Sequence, residues 1–285
     1  VLHDQAKWYQ DLASSLRFTV AALLIQHHIK GQHFLSEHVR IGDLLRHAGL
    51  RSSGFHHTMT VLIMLISPMQ PGVLDVERIK AIHQAMKRFH WWLTGPEDLP
   101  ACAALAYCPG SAAEIVSRTE ACYLLLKETG LSRGDHLQMA ANLLPLSGLD
   151  ADVVVGRYRA LKHRIEERNH DLVPADYEAI AVLCLLDHAP DPIVDRLLSV
   201  GRELELLQAE VGPVTNLIIA ADLVCLDLMR FDRAMRPVHD AHGASTMLRS
   251  LHLYHLATAA MLSHIEADIP LPMMGLPGAG WPAQA

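Results

Sequence analysis

Two histidine pairs near the end of the chain, His239-x-x-His242 and His252-x-x-His255, have the spacing of a shared ligand set. On a helix, an i, i+3 pair sets two imidazoles about 60° apart on one face, near enough to share a divalent transition metal at ~2.0–2.1 Å per bond. His255 stands among Leu251, Leu256 and Ala259 and so faces inward, where an imidazolium is costly without a partner. Metal ligation or acid–base work fits such a residue. So does a neutral core histidine bonded to a carbonyl or carboxylate.

A second set of polar residues interrupts the very apolar stretch 214–231. Asn216 and Asp227 are almost three full helical turns apart and share a face, while Asp222 lies roughly 120° from Asn216. A carboxylate among Ile, Leu, Val and Ala needs a cation, a metal or several donors. Asp222 can orient His252 or His255 as a carboxylate behind the imidazole, or pair with Arg230 or Arg249 in a plain salt bridge.

Towards the start, His27, His28, His33, His56, His57, His83 and His90 form a looser group. Adjacent His27 and His28 diverge by about 100° on a helix, so one buried and one exposed side chain is expected rather than a chelate. His83 and His90 share a face that, with Trp91 and Trp92, can line a pocket or cover the edge of the core. The series Asp187, Asp191 and Asp195 has the spacing of a magnesium-binding run, but Pro190 and Pro192 separate its members, and Asp191 reads better as a helix cap. No nucleophile elbow, phosphate-binding glycine loop, HExxH or paired ExxH pattern occurs.

The elements that must position these residues are helices. Asp4 caps one running to about His28, Gly31 breaks it, and Ser36 caps the next, which ends before Gly49. Helices follow over about 54–66 and 73–93. Thr94-Gly-Pro-Glu97 and Ser111-Ala-Ala-Glu114 have capping-box spacing and open helices ending near Tyr107 and Glu128. Further helices are predicted over 135–146, 150–168, 175–187, 191–210, from Pro213 to Phe231, and over 245–266. The expectation is an all-α, irregular array of about a dozen helices, with stacked helical hairpins as one arrangement. No fixed repeat of helical-repeat length and signature is evident. One helical domain over 1–269, divisible into halves 1–130 and 131–269, would precede a Pro/Gly-rich tail over 270–285.

Composition agrees. Of 285 residues, 51% are hydrophobic and 19% charged, which excludes disorder, and the 5% aromatic share leaves an apolar mass of helix-tolerant residues. The net charge of −7, with cations scattered, excludes an electrostatic footprint for nucleic acid. With 19 histidines against 24 Lys plus Arg, charge rises steeply as pH falls, and solubility near pH 6 should be poor. Five cysteines without a CxxC fit reduced thiols and a cytoplasmic setting. The apolar run Val20–Ile25 is too short to cross a membrane, and no signal-peptide pattern is seen.

Two stretches carry a resemblance: Leu93-Thr-Gly-Pro-Glu-Asp-Leu-Pro-Ala-Cys-Ala-Ala-Leu-Ala106, a turn into an alanine-rich helix, and Gly134-Asp-His-Leu-Gln-Met-Ala-Ala-Asn-Leu-Leu144. In order and spacing, residues Ser53 to Leu207 resemble the bacterial domain-of-unknown-function family numbered four thousand and three. The resemblance implies a helical fold and assigns no activity. The chain departs from the family's pattern at Asp135, where an asparagine is expected, and at Ala140 to Asn142, where a Ser-His pair is expected.

Two functional expectations follow. One is an enzyme acting on a small molecule between the last apolar helices, with His255 and Asp222 in catalysis. Asn216, Asp227, Trp91 and Trp92 would contact substrate, and His239, His242, His252 and His255 would be the ligands of any transition metal. The other is a non-catalytic module that binds a ligand or a protein. Assembly into a homo-oligomer is open under either.

Overall fold

Helices of two compositions alternate along this chain, long amphipathic ones and nearly all-apolar ones, and that alternation dictates two layers. The computed structural model describes residues 20–21, 24–25, 27–52, 54–66, 71–89, 94–186, 188–207 and 213–231. Among them are ten α-helices and no strand: α1 (Gly31–His47), α2 (Gly54–Ile66), α3 (Val73–Phe89), α4 (Leu99–Leu105), α5 (Ala112–Glu128), α6 (Asp135–Leu143), α7 (Ala151–Glu167), α8 (Tyr177–Leu183), α9 (Pro190–Leu207) and α10 (Pro213–Phe231). The all-α expectation holds. The helix expected over 245–266 and the tail lie outside the described residues.

The odd-numbered helices each bury a single stripe, for example Val76, Ile79, Ile82, His83 and Met86 on α3, and Val154, Val155, Tyr158, Leu161 and Ile165 on α7. The even-numbered helices bury far more of their surface. All seven residues of α4 and of α8 are buried, as is the run Thr58–Met64 of α2. Each odd helix packs on the even helix that follows it, and each helix also packs on the next of its own parity. The outcome is a stack of five helical hairpins with an outer row of odd helices and an inner row of even ones. Buried side chains from all ten helices join in one apolar cluster.

The stack has an order that the sequence does not advertise. Every start in the span α3 to α6 recurs 78 residues later: Val73 with Ala151, Pro96 with Pro174, Leu99 with Tyr177, Ala112 with Pro190, and Asp135 with Pro213. The hairpin α1–α2 is a partial third copy offset by 81, matching Gly31 to Ala112 and Gly54 to Asp135. A clamp recurs as well. Arg78 of α3 donates to the carbonyls of Ala106 (2.6 Å), Cys108 (2.8 Å) and Gly110 (2.6 Å) beyond the end of α4. Arg157 of α7 reaches the equivalent carbonyls of Cys184 (3.5 Å) and Leu186 (3.3 Å) beyond α8. In both copies an outer-row guanidinium caps the electronegative end of an inner helix.

Several boundaries differ from expectation for local reasons. Helix α1 begins at Gly31 with Lys30 before it, and Ser36 lies inside, its hydroxyl donating to the His33 carbonyl at 2.8 Å. The preceding turn closes at His28 in a left-handed conformation (φ 55), where the predicted first helix was expected to end. The Ser111–Glu114 box forms as expected, with Ser111 N–H donating to Glu114 Oε2 at 2.7 Å and Glu114 N–H to Ser111 Oγ at 3.3 Å. The Thr94–Glu97 box does not form, because Asp98 takes the Gly95 N–H at 3.0 Å and starts a 3-10 turn over Pro96–Asp98. Asp191 is no cap. It sits in the first turn of α9 and accepts from Arg168 at 2.9 Å.

Candidate functional site

Stacked hairpins bring the amino-terminal ends of all inner helices to one edge, where orphan N–H groups and the positive end of each macrodipole favour carboxylates. The sequence supplies them there. Asp98 and Asp176, in the paired motifs Pro96-Glu-Asp98 and Pro174-Ala-Asp176, are both buried, and each accepts from the N–H three residues back, Gly95 at 3.0 Å and Val173 at 2.9 Å. Cross-links tie neighbouring ends together: Gln138 of α6 donates to Thr94 ahead of α4 at 3.3 Å, and His136 of α6 bonds to Glu178 of α8 at 2.9 Å. His83 of α3 donates through Nε2 to the Gly95 carbonyl at 3.1 Å.

Electrostatics along this edge are unusual. Burial pushes the Asp98 carboxyl up to about 7, against the Gly95 N–H that favours the ionised form, and Glu97 and Asp135 add to the rise. Asp176 is raised for the same leading reason. Glu178 is also raised by burial, which outweighs its bond to His136, whereas His136 is raised because that bond favours its imidazolium. The two shifts have different causes, desolvation for the carboxyl and hydrogen bonding for the imidazole. Two more histidines face the core at the α1–α2 contact: His38 lies in T-shaped contact with His57 at 4.8 Å, and burial holds it down to about 4. Gly42 makes room for them, since a Cβ there would stand 2.9 Å from His57 Nε2.

Buried polar atoms remain at this edge and behind it. Gln138 Oε1 and Glu178 Oε2 at the edge, and both amide atoms of Asn142 one turn further along α6, have no hydrogen-bond partner among the described residues. Gln138 and Asn142 lie one helical turn apart on α6 and border a crevice of ≈ 10 Å³ with Thr119 and Tyr123, about the room of one water molecule. Larger concavities flank the edge. A cleft of ≈ 380 Å³ runs between the α1–α2 loop, α3 and the turn before α4, and a groove of ≈ 620 Å³ follows the end of α7 along α9.

Of the residues singled out from sequence, Asp222 is 1% exposed in the middle of α10, which packs on α8 and α9. Its charge raises the buried thiol of Cys225, one turn on, after burial itself. His239, His242, His252, His255, Arg249, His90, Trp91 and Trp92 lie outside the described residues, and so do the side chains of Asn216, Asp227 and Arg230. Among the described residues, no group of three or more His, Cys, Asp or Glu is placed to hold a metal ion. All five cysteines are buried and unpaired by disulfides, and burial raises the thiols, so they are poor nucleophiles. Among the described residues, no helix is long and apolar enough to cross a membrane.

Sequence patterns alone do not mark the edge residues. Asp98 and Gln138 lie inside the two family-like stretches, and for Gln138 the signal is a polar residue within an apolar helix.

Comparison with known proteins returns the family-like motifs on a wider span: one family model, described as a protein of unknown function, matches residues 3–251. The chain is 25% identical over 205 residues to the uncharacterized protein YeaA of Bacillus subtilis (strain 168), an alignment covering 69% of this chain and 59% of that one. It therefore spans about three fifths of the length of that curated relative. No solved structure matches.

Proposed function

Since the chain belongs to that family, DUF4003, whose description carries no activity, we propose from the geometry that it is a helical-repeat scaffold binding a small ligand at the amino-terminal edge of its inner row. One observation carries the reading. The hairpin stack gathers buried, hydrogen-bonding side chains at one edge and leaves Gln138 and Glu178 there with polar atoms unpartnered among the described residues. Each such atom costs about 1–3 kcal/mol when desolvated without a partner, a penalty a ligand or water meeting it would relieve. Helical-repeat proteins use such extended faces for recognition. The buried thiols support a reducing, cytoplasmic setting.

A thermal-shift screen over charged and polar metabolites tests this. The expected result is a class of compound that raises the melting temperature and is recovered unchanged. Conversion of that compound to a product would overturn it.

The His136–Glu178 pair supports a second reading, an acid–base enzyme. A buried carboxylate behind a half-exposed imidazole fixes its tautomer and raises its basicity, as a general base requires. Turnover that survives His136→Gln in a folded protein would remove it. A transition metal at His239, His242, His252 and His255 belongs to that same reading, and one equivalent of bound metal in untagged protein is its expected signature.

A further inference from the structure

The cleft of ≈ 380 Å³ differs from the rest of this acidic molecule. Lys80, His83 and Lys87 occupy one face of α3 at i, i+3 and i+7, and Arg51 faces them from the loop after α1. Among the described residues, no carboxylate lines it. Arg51 and Lys87 make no hydrogen bond or ion pair among the described residues, and Lys80 meets Glu77 only at 3.8 Å. Glu97, exposed beside His83, is the nearest acid acting on that imidazole. The floor is apolar, with Leu50 and Leu99 both buried.

Three long cations gathered here have only one loose ion pair between them, Lys80 with Glu77 at 3.8 Å, and repel one another, although a chain of net charge −7 has carboxylates to spare for them. A desolvated dianion relieves that repulsion, and an apolar group attached to it would cover Leu50 and Leu99. We infer that this cleft binds an organic monophosphate, its phosphoryl group held by Arg51, Lys80 and Lys87 and its apolar body laid on Leu50 and Leu99. Guanidinium and ammonium groups suit the head, Arg as a planar fork and Lys as point charges. The volume lies within the ~300–1,000 Å³ usual for small-molecule sites. This inference rests on the scaffold reading for a ligand-binding edge and goes beyond it, since the cleft flanks that edge and is lined by neither Gln138 nor Glu178.

The test is calorimetric titration of the full chain with phenyl phosphate, inorganic phosphate and phenol at low ionic strength. Phenyl phosphate should bind saturably, at least about tenfold tighter than inorganic phosphate, while phenol binds too weakly to measure. Arg51→Gln and Lys87→Gln, both at exposed positions, should each weaken it by roughly tenfold, and Arg202→Gln in the groove along α9 should change nothing. No saturable binding of phenyl phosphate, equal binding of inorganic phosphate, or affinity unmoved by Arg51→Gln and Lys87→Gln would overturn the assignment. If phenyl phosphate does not bind but another compound stabilises wild type and a double Arg51→Gln, Lys87→Gln variant equally, this cleft fails and the scaffold reading stands. If no compound stabilises the protein, both fail.

Discussion

Replacing Asp98 by asparagine keeps the shape of the side chain and an oxygen for the Gly95 N–H, and removes only the ability to ionise. In the folded chain this carboxyl is pushed up to about 7, while an unfolded aspartate has a value near 3.9. The native state therefore holds the proton more tightly than the unfolded one. Asp98 contributes stability that is fully present below the unfolded value and is lost as pH rises through about 7. At 1.36 kcal/mol per unit, lowering the pH from 8 to 5 crosses about two units of that window, worth about 3 kcal/mol to wild type and nothing to the asparagine variant. Urea unfolding of both proteins at a series of pH values isolates this one group, because every other titration cancels in the difference. Asp98→Asn should be the more stable protein at pH 8, and its advantage should shrink by about 3 kcal/mol at pH 5. A stability difference that stays flat with pH would refute the reasoning, since Asp98 would then be ionised in the fold like an ordinary surface carboxylate.

Three further outcomes follow from contacts described above. Arg78→Ala should cost about 2–4 kcal/mol of unfolding free energy by urea titration, because three carbonyls beyond α4 lose a charged donor; the longer bonds of Arg157 predict a smaller loss for Arg157→Ala. Gly42→Ala should destabilise by about 1–3 kcal/mol, since the new methyl meets His57 Nε2 at 2.9 Å, and His57→Ala in the same protein should recover part of the loss. In NMR titration the His136 imidazole should lose its proton above its ordinary value of 6.5, and Glu178→Gln should bring it down by removing the acceptor that favours the imidazolium.

How far the sequence spoke for itself depended on the range of the interaction. Ser111 and Glu114 are three residues apart and complete their box without help, so the start of α5 was legible. Thr94 and Glu97 have the same spacing, yet the turn starts one residue later, with Asp98 accepting from the Gly95 N–H, and only the structure could decide between the two registers. The 78-residue recurrence escaped notice because its signature is thin. Pro96 and Asp98 recur as Pro174 and Asp176, and Ile115 and Val116 as Ile193 and Val194, but buried positions between are free to differ provided they stay apolar, and exposed ones are freer still. The edge itself was beyond reach for a stronger reason. It joins His83 to Gly95 and His136 to Glu178, partners on helices whose register is set by the stacking of whole hairpins. The histidines near the end of the chain stand out in the sequence by contrast, because local spacing alone suggests chemistry there.

The hairpin stack also dictates how the molecule comes apart. Among the described residues, each helix leans mainly on its successor and on the next of its own row, so contacts are short in sequence and a break at one interface does not propagate at once to the far end. Hairpins in the middle, such as α5–α6, have neighbours on both sides, and opening them requires two interfaces to part. Amide exchange should therefore be slowest in α4, α6 and α8, whose residues are almost all enclosed, and should quicken outward through α1. Protection against exchange is graded along such a chain by position in the stack, and the candidate edge runs through its most slowly opening part.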